Sequence, residues 1–202
     1  MKSLTHYIQE KLVIKKKSNN SYKYSPETKQ ELKAIIKKRI EKEGNEVDLN
    51  DIDVSKITDM SSLFRDTNFN GNVSNWDVSK VTDMSYMFSD CNSFNQDISA
   101  WDVSNVKNMS YMFSRCVLFN KDISQWDVSN VENMFAMFVW CTSFNQDIIN
   151  WDVSNVKNMS YMFYGCKLFN YDISQWDVSN VNKMEYMFYK CKINTKYKPK
   201  FK

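Results

Sequence analysis

Glycine and proline are scarce in this chain, three and two among 202 residues. That scarcity excludes long flexible linkers and a glycine-rich phosphate loop. The single histidine is His6, so a histidine-based nucleophile or general base has nowhere else to sit. GxGxxG, GxxxxGK[ST] and HExxH do not occur, and no catalytic residue, cofactor, metal ligand or small-molecule substrate is assigned. No apolar run approaches the roughly 18 residues of a membrane-spanning helix. The opening MKSLTHYIQEKL has neither the continuous apolar stretch nor the small-residue cleavage site of a secretion signal.

What the chain has instead is a repeat. The stretch WDVSNVKNMSYMF, starting at Trp101, returns at Trp76, Trp126, Trp151 and Trp176, and Cys91, Cys116, Cys141, Cys166 and Cys191 keep the same step of 25 residues. A degenerate sixth copy begins at Ile52, with Thr67 in the cysteine place and one residue fewer before Phe69. A fixed period in this range marks a stack of units, each burying its apolar face on its neighbours. The odd number of cysteines, all at one place in the unit, reads as reduced buried filler. Zinc is the alternative, opposed by the lone histidine and the absence of paired CxxC.

Each unit carries two apolar periods. Trp101 and Val103 alternate with Asp102 and Ser104, as in a strand; Met109, Met112, Phe113 and Cys116 follow i, i+3, i+4, i+7, as in a helix. The fold expected is therefore an α/β repeat solenoid. Each coil would hold one short parallel strand and one short helix, with FNxDIS as the return. Residues 1–48 read as an N-terminal helical cap or docking segment, 49–194 as about six repeats, and 195–202 as a basic solvated tail. Within the cap, Leu4, Ile8 and Leu12 suit a helix over 3–12. Ser25 and Pro26 open a second helix over 26–43, with Leu32, Ile35, Ile36 and Ile40 on its apolar stripe and a basic outer face; Gly44 ends it.

Charge is segregated. Residues 1–50 hold twelve Lys and Arg against seven Asp and Glu, residues 51–191 ten against seventeen, and residues 192–202 five lysines and no acid. The acidic body and the lack of interleaved basic and aromatic residues argue against nucleic acid. Two aspartate columns, Asp77 to Asp177 and Asp97 to Asp172, would repel in a sheet unless offset. Turn N–H groups accepted by the carboxylates offset them in one reading, a Ca²⁺ ion in the other.

The unit FNxDISxWDVSNVxNMSYMFxxC resembles the repeat of BspA-like, leucine-rich-repeat-related bacterial surface proteins, common on mycoplasma lipoproteins. The resemblance covers residues 51 to about 194 and implies a leucine-rich-repeat-like solenoid with a binding role, often that of a secreted or anchored adhesin. The N-terminal block, through SPETKQELKAIIKKRI, resembles leaders on repeat proteins of gut bacteria and their phages. A lipobox cysteine and a wall anchor are not seen. The function expected is a non-enzymatic protein-binding module, cytoplasmic or associated with an assembly such as a virion. The alternatives are a structural phage protein docked through the N-terminal block, and a surface adhesin.

Scaffold positions recur, so specificity belongs where copies differ. The repeat from Trp126 deviates most: Phe135-Ala136 replaces Ser-Tyr, Val139-Trp140 replaces pairs such as Ser-Asp and Ser-Arg, and Ile149 replaces a serine. The Val139 column continues as Tyr164 and Tyr189. Phe135, Val139, Trp140, Tyr164 and Tyr189 are the candidate protein-binding residues. Their partner is an unidentified protein, basic if it complements the acidic coils. Trp140 folded over a neighbouring coil is the structural alternative.

Overall fold

The computed structural model describes residues 22–201. The helix expected over 3–12, and His6 with it, lie outside them. Helix α1 runs Lys29–Glu43 and is capped by Thr28, whose side chain accepts the Glu31 N–H. Ser25 does not cap it, because the Thr28-x-x-Glu31 spacing offers the better cap: Glu31 Oε2 in turn takes the Glu27 N–H at 2.8 Å. Gly44 ends the helix in the left-handed region at φ 87°, and its N–H bonds the Ile40 carbonyl.

The repeats stack coil on coil, but the expected α/β architecture is overturned. Among the described residues the repeats contain no helix, no sheet and no strand longer than an isolated parallel bridge, such as Asp83↔Asn108 and Asn108↔Asn133. Each coil is a succession of turns. In the coil from Met84, N–H groups of Met87, Ser89 and Cys91 bond the carbonyls of Met84, Tyr86 and Phe88. Tyr86 and Asp90 hold φ near 60°, and Tyr111, Arg115, Trp140, Tyr161, Tyr186 and Lys190 repeat those two places. A non-glycine residue in that region costs about 1–2 kcal/mol and stops a helix. The turns instead aim alternate N–H groups along the stack, where Met84, Tyr86, Phe88 and Asp90 donate to Asn108, Ser110, Met112 and Ser114 of the next coil at 2.8–2.9 Å. Those four bonds, repeated at every step, offset the strained φ values.

WDVS is likewise a turn and no strand. Asp102 Oδ1 accepts the Ser104 N–H at 3.1 Å, and Val106 N–H bonds the Val103 carbonyl. The same Asx geometry recurs at Asp127, Asp152 and Asp177, and in the return at Asp97, Asp122, Asp147 and Asp172. This is the first of the two readings of the aspartate columns. The N–H and hydroxyl of Ser99 hold the Asp97 carboxyl below its usual range. The hydroxyl and N–H of Ser129 and Ser174 do the same for Asp127 and Asp172. A depressed folded pKa stabilises the fold above the unfolded value of about 3.9 and ceases to as pH falls through the folded value. Melting temperature is therefore expected to be flat down to about pH 4 and to fall below it; a midpoint that rises on acidification contradicts this.

Inside the coils the side chains form ladders. Phe64, Phe88, Phe113, Phe138, Phe163 and Phe188 stack at 5.3–5.9 Å between centroids. A second phenylalanine column, Phe69 to Phe169, lies beside it at 3.8–4.3 Å within each coil. Every repeat tryptophan is at most 5% exposed and sends Nε1–H to a carbonyl of the preceding coil, as Trp101 does to Val73 at 3.1 Å. The cysteines are free thiols, four of them buried, and they too donate backwards, Cys116 to the Phe88 carbonyl at 2.9 Å. Burial raises their pKa, to about 11 at Cys91. In the FN places Asn70, Asn95, Asn120, Asn145 and Asn170 each accept the backbone N–H of the asparagine one coil on, at 2.8–3.2 Å.

Helix α1 closes the N-terminal end. Leu32 and Ile36 join the same buried cluster as the coils. Arg39, a basic residue of α1, is only 9% exposed. It grips Asp51 at 2.8 and 2.9 Å, Glu43 at 2.7 Å and the Asp48 carbonyl at 2.9 Å. At the other end residues 195–201 are no free tail: Ile173 donates to the Tyr197 carbonyl at 3.0 Å, and Tyr197 and Phe201 pack on the cluster.

Candidate interaction surface

The turn over NMSYMF carries the candidate residues. Its tyrosine, at the first left-handed place, projects from the coil, half-buried at Tyr86, Tyr111 and Tyr161 and exposed at Tyr186, and this column runs along one side of the stack. Tyr86 and Tyr111 stack at 4.4 Å, with the Arg65 guanidinium 4.9 Å from the Tyr86 ring. Burial, followed by the neighbouring Tyr86, raises the Tyr111 hydroxyl pKa.

Phe135 completes this column. Ala136 takes the left-handed place at φ 52° and is 2% exposed. The Phe135 ring, one residue earlier, fills the gap edge-on between Tyr111 at 5.0 Å and Tyr161 at 5.8 Å. Sequence comparison marked Phe135 as a deviation, yet it supplies the ring its neighbour lacks. The readable signal was the paired change, Ser-Tyr to Phe-Ala, which moves an aromatic ring by one position and keeps it.

Trp140 lies over the next coil. A Cβ at Gly165 would come within 2.5 Å of its ring, and Gly165 itself sits at φ 73°. That place is Asp90, Arg115 and Lys190 in other coils, so glycine here is what admits the indole. Trp140 meets Tyr164 edge-on at 5.3 Å, and Tyr164 stacks on Tyr189 at 5.3 Å. Lys190 Nζ stands 5.5 Å from the Trp140 ring and 5.6 Å from that of Tyr189. The structural alternative for Trp140 is thus realised in part: the indole is seated on Gly165 and remains half-exposed. Val139 is half-buried too, and Tyr189 is 51% exposed.

Four of the five candidate residues, Phe135, Trp140, Tyr164 and Tyr189, therefore fall in two aromatic columns joined by the Tyr161–Tyr164 contact at 5.7 Å; Val139 is joined to them by sequence alone. Sequence reasoning omitted Tyr161 and Tyr186, which bridge the columns; both repeat, and so were read as scaffold. The arrangement offers ring edges and an exposed lysine held beside two rings, the chemistry of a binding surface.

No helix among the described residues is long and apolar enough to cross a membrane. The family described as Mycoplasma protein of unknown function, DUF285, matches the chain twice, over residues 31–142 and 100–200. Neither a curated protein nor a solved structure matches it.

Proposed function

The chain belongs to the Mycoplasma family DUF285, and we propose that it works as a non-enzymatic module that binds a protein through the aromatic columns of Phe135, Trp140, Tyr164 and Tyr189. The observation that carries this is the contiguity of half-buried rings across three coils, at the place where the repeats depart furthest from their own pattern. Aromatic anchors of this kind dominate binding energy when a partner completes their burial. The likeness of the repeats to those of BspA-like surface proteins supports the same class of function.

The acidic coils favour a basic partner, with an association that weakens as salt rises. The test compares the intact chain with the double variant Phe135→Ser, Trp140→Arg in capture of basic proteins from a native lysate, followed by titration of the captured protein. Because both rings are partly seated, the variant melts somewhat earlier but cooperatively. At a temperature where both chains are folded it binds about tenfold more weakly or worse. Equal binding by the two chains sinks the reading.

A further inference from the structure

The two ends of the stack are chemically unlike. In the penultimate coil the N–H groups of Met159, Tyr161, Phe163 and Gly165 bond the carbonyls of Lys183, Glu185, Met187 and Tyr189 at 2.8–3.0 Å. The corresponding donors of the last coil, on Met184, Tyr186, Phe188 and Lys190, meet no backbone acceptor among the described residues. Residues 195–201 turn back on the last coils, the Tyr197 carbonyl accepting the Ile173 N–H at 3.0 Å and Lys198 Nζ standing 5.4 Å from the Phe188 ring. Met184 is 40% and Tyr186 59% exposed, whereas Met159 one coil earlier is fully buried. The charge around the row is one-sided. Residues 183–201 contain six lysines and a single acid, Glu185, which already accepts the Ser160 hydroxyl.

We propose that this edge docks an acidic, extended segment of a partner protein. Its carbonyls would accept the four waiting N–H groups, its apolar side chains would cover Met184 and Tyr186, and its carboxylates would face the lysines. A second copy of this chain fits badly. Two copies meeting edge to edge would set donors against donors and lysines against lysines. A copy meeting end to end would need its first coil bare, and α1 lies over that coil, with Lys29 bonded to Asp59 and Ser61. This edge adjoins the Phe135–Trp140 columns, since Tyr186 and Lys190 touch both, but its recognition runs through backbone N–H groups and the partner chemistry is opposite in sign.

The test is amide hydrogen exchange of the full chain, with and without a short synthetic peptide alternating Glu and Val. The peptide is expected to slow exchange at Met184, Tyr186, Phe188 and Lys190 by about tenfold or more, and Lys183→Glu with Lys192→Glu to weaken its binding by about tenfold. The Phe135→Ser, Trp140→Arg variant keeps all four N–H groups and loses no lysine, so it should bind the peptide no more weakly than the wild type does, which separates this proposal from the preceding one. The proposal is overturned if saturating peptide leaves the four amides unprotected. It is equally overturned if an alternating Lys–Val peptide protects them as well, or if protection in the free protein grows with concentration alongside a sedimenting dimer.

Discussion

Trp126→Ala is expected to lower stability by about 3–5 kcal/mol. Trp126 is 3% exposed, its ring lies 6.2 Å from Phe113, and Nε1–H bonds the Ile98 carbonyl at 3.1 Å. The lost hydrogen bond is the smaller part. Ile98 keeps the Trp101 N–H at 3.1 Å, so its carbonyl is not orphaned, and a net bond contributes about 1 kcal/mol. The cavity dominates: a coil held between two others has no free side towards which to collapse. Denaturant titration measures the effect, and a midpoint indistinguishable from wild type would place Trp126 outside the core. Trp140→Ala, from a half-exposed site, should cost clearly less.

Deleting residues 1–44 is expected to convert the protein into an end-to-end polymer. Leu32 and Ile36, at 0% and 2% exposure, leave with α1 and open the buried cluster that they share with Met60, Leu63 and Phe64 of the first coil. The first coil then presents the carbonyls of Asp59, Ser61, Leu63 and Arg65, the places that accept N–H groups in the coils that follow. The far end of another copy offers the complementary donors, with lysines to meet Asp59 and Asp66. Such a contact is heterologous and does not close on itself, so growth is open. Sedimentation should show a concentration-dependent ladder of sizes and electron microscopy filaments. A truncated monomer with unchanged melting would mean that α1 is a docking arm and caps nothing.

The period, the buried columns and the helix stop at Gly44 were legible because they depend on which side chains recur. The turns were not. Trp-Asp-Val-Ser alternates in a strand, yet an Asx turn that seats Trp and Val inward gives the same alternation. The i, i+3, i+4 pattern of Met109, Met112 and Phe113 suits a helix, yet linked turns place the same residues inward. What decides between them is backbone left-handedness at Tyr111 and Arg115. Residue type hides it, since glycine, its usual marker, is nearly absent. The burial of Arg39 was hidden for a related reason: its partner Asp51 is twelve positions on and reaches it only after the chain has turned back.

The hydrogen bonds between coils lie along one axis, that of the stack, some donated forwards and some backwards, and each step repeats the same small set. Tension applied between the two ends would therefore load these steps in series, and the weakest would yield first while its neighbours stayed whole. Each coil released would lengthen the chain by about 80–90 Å, the extended span of 25 residues. A protein so built does not snap at a single threshold. It extends in equal increments while the distance between its ends grows several-fold.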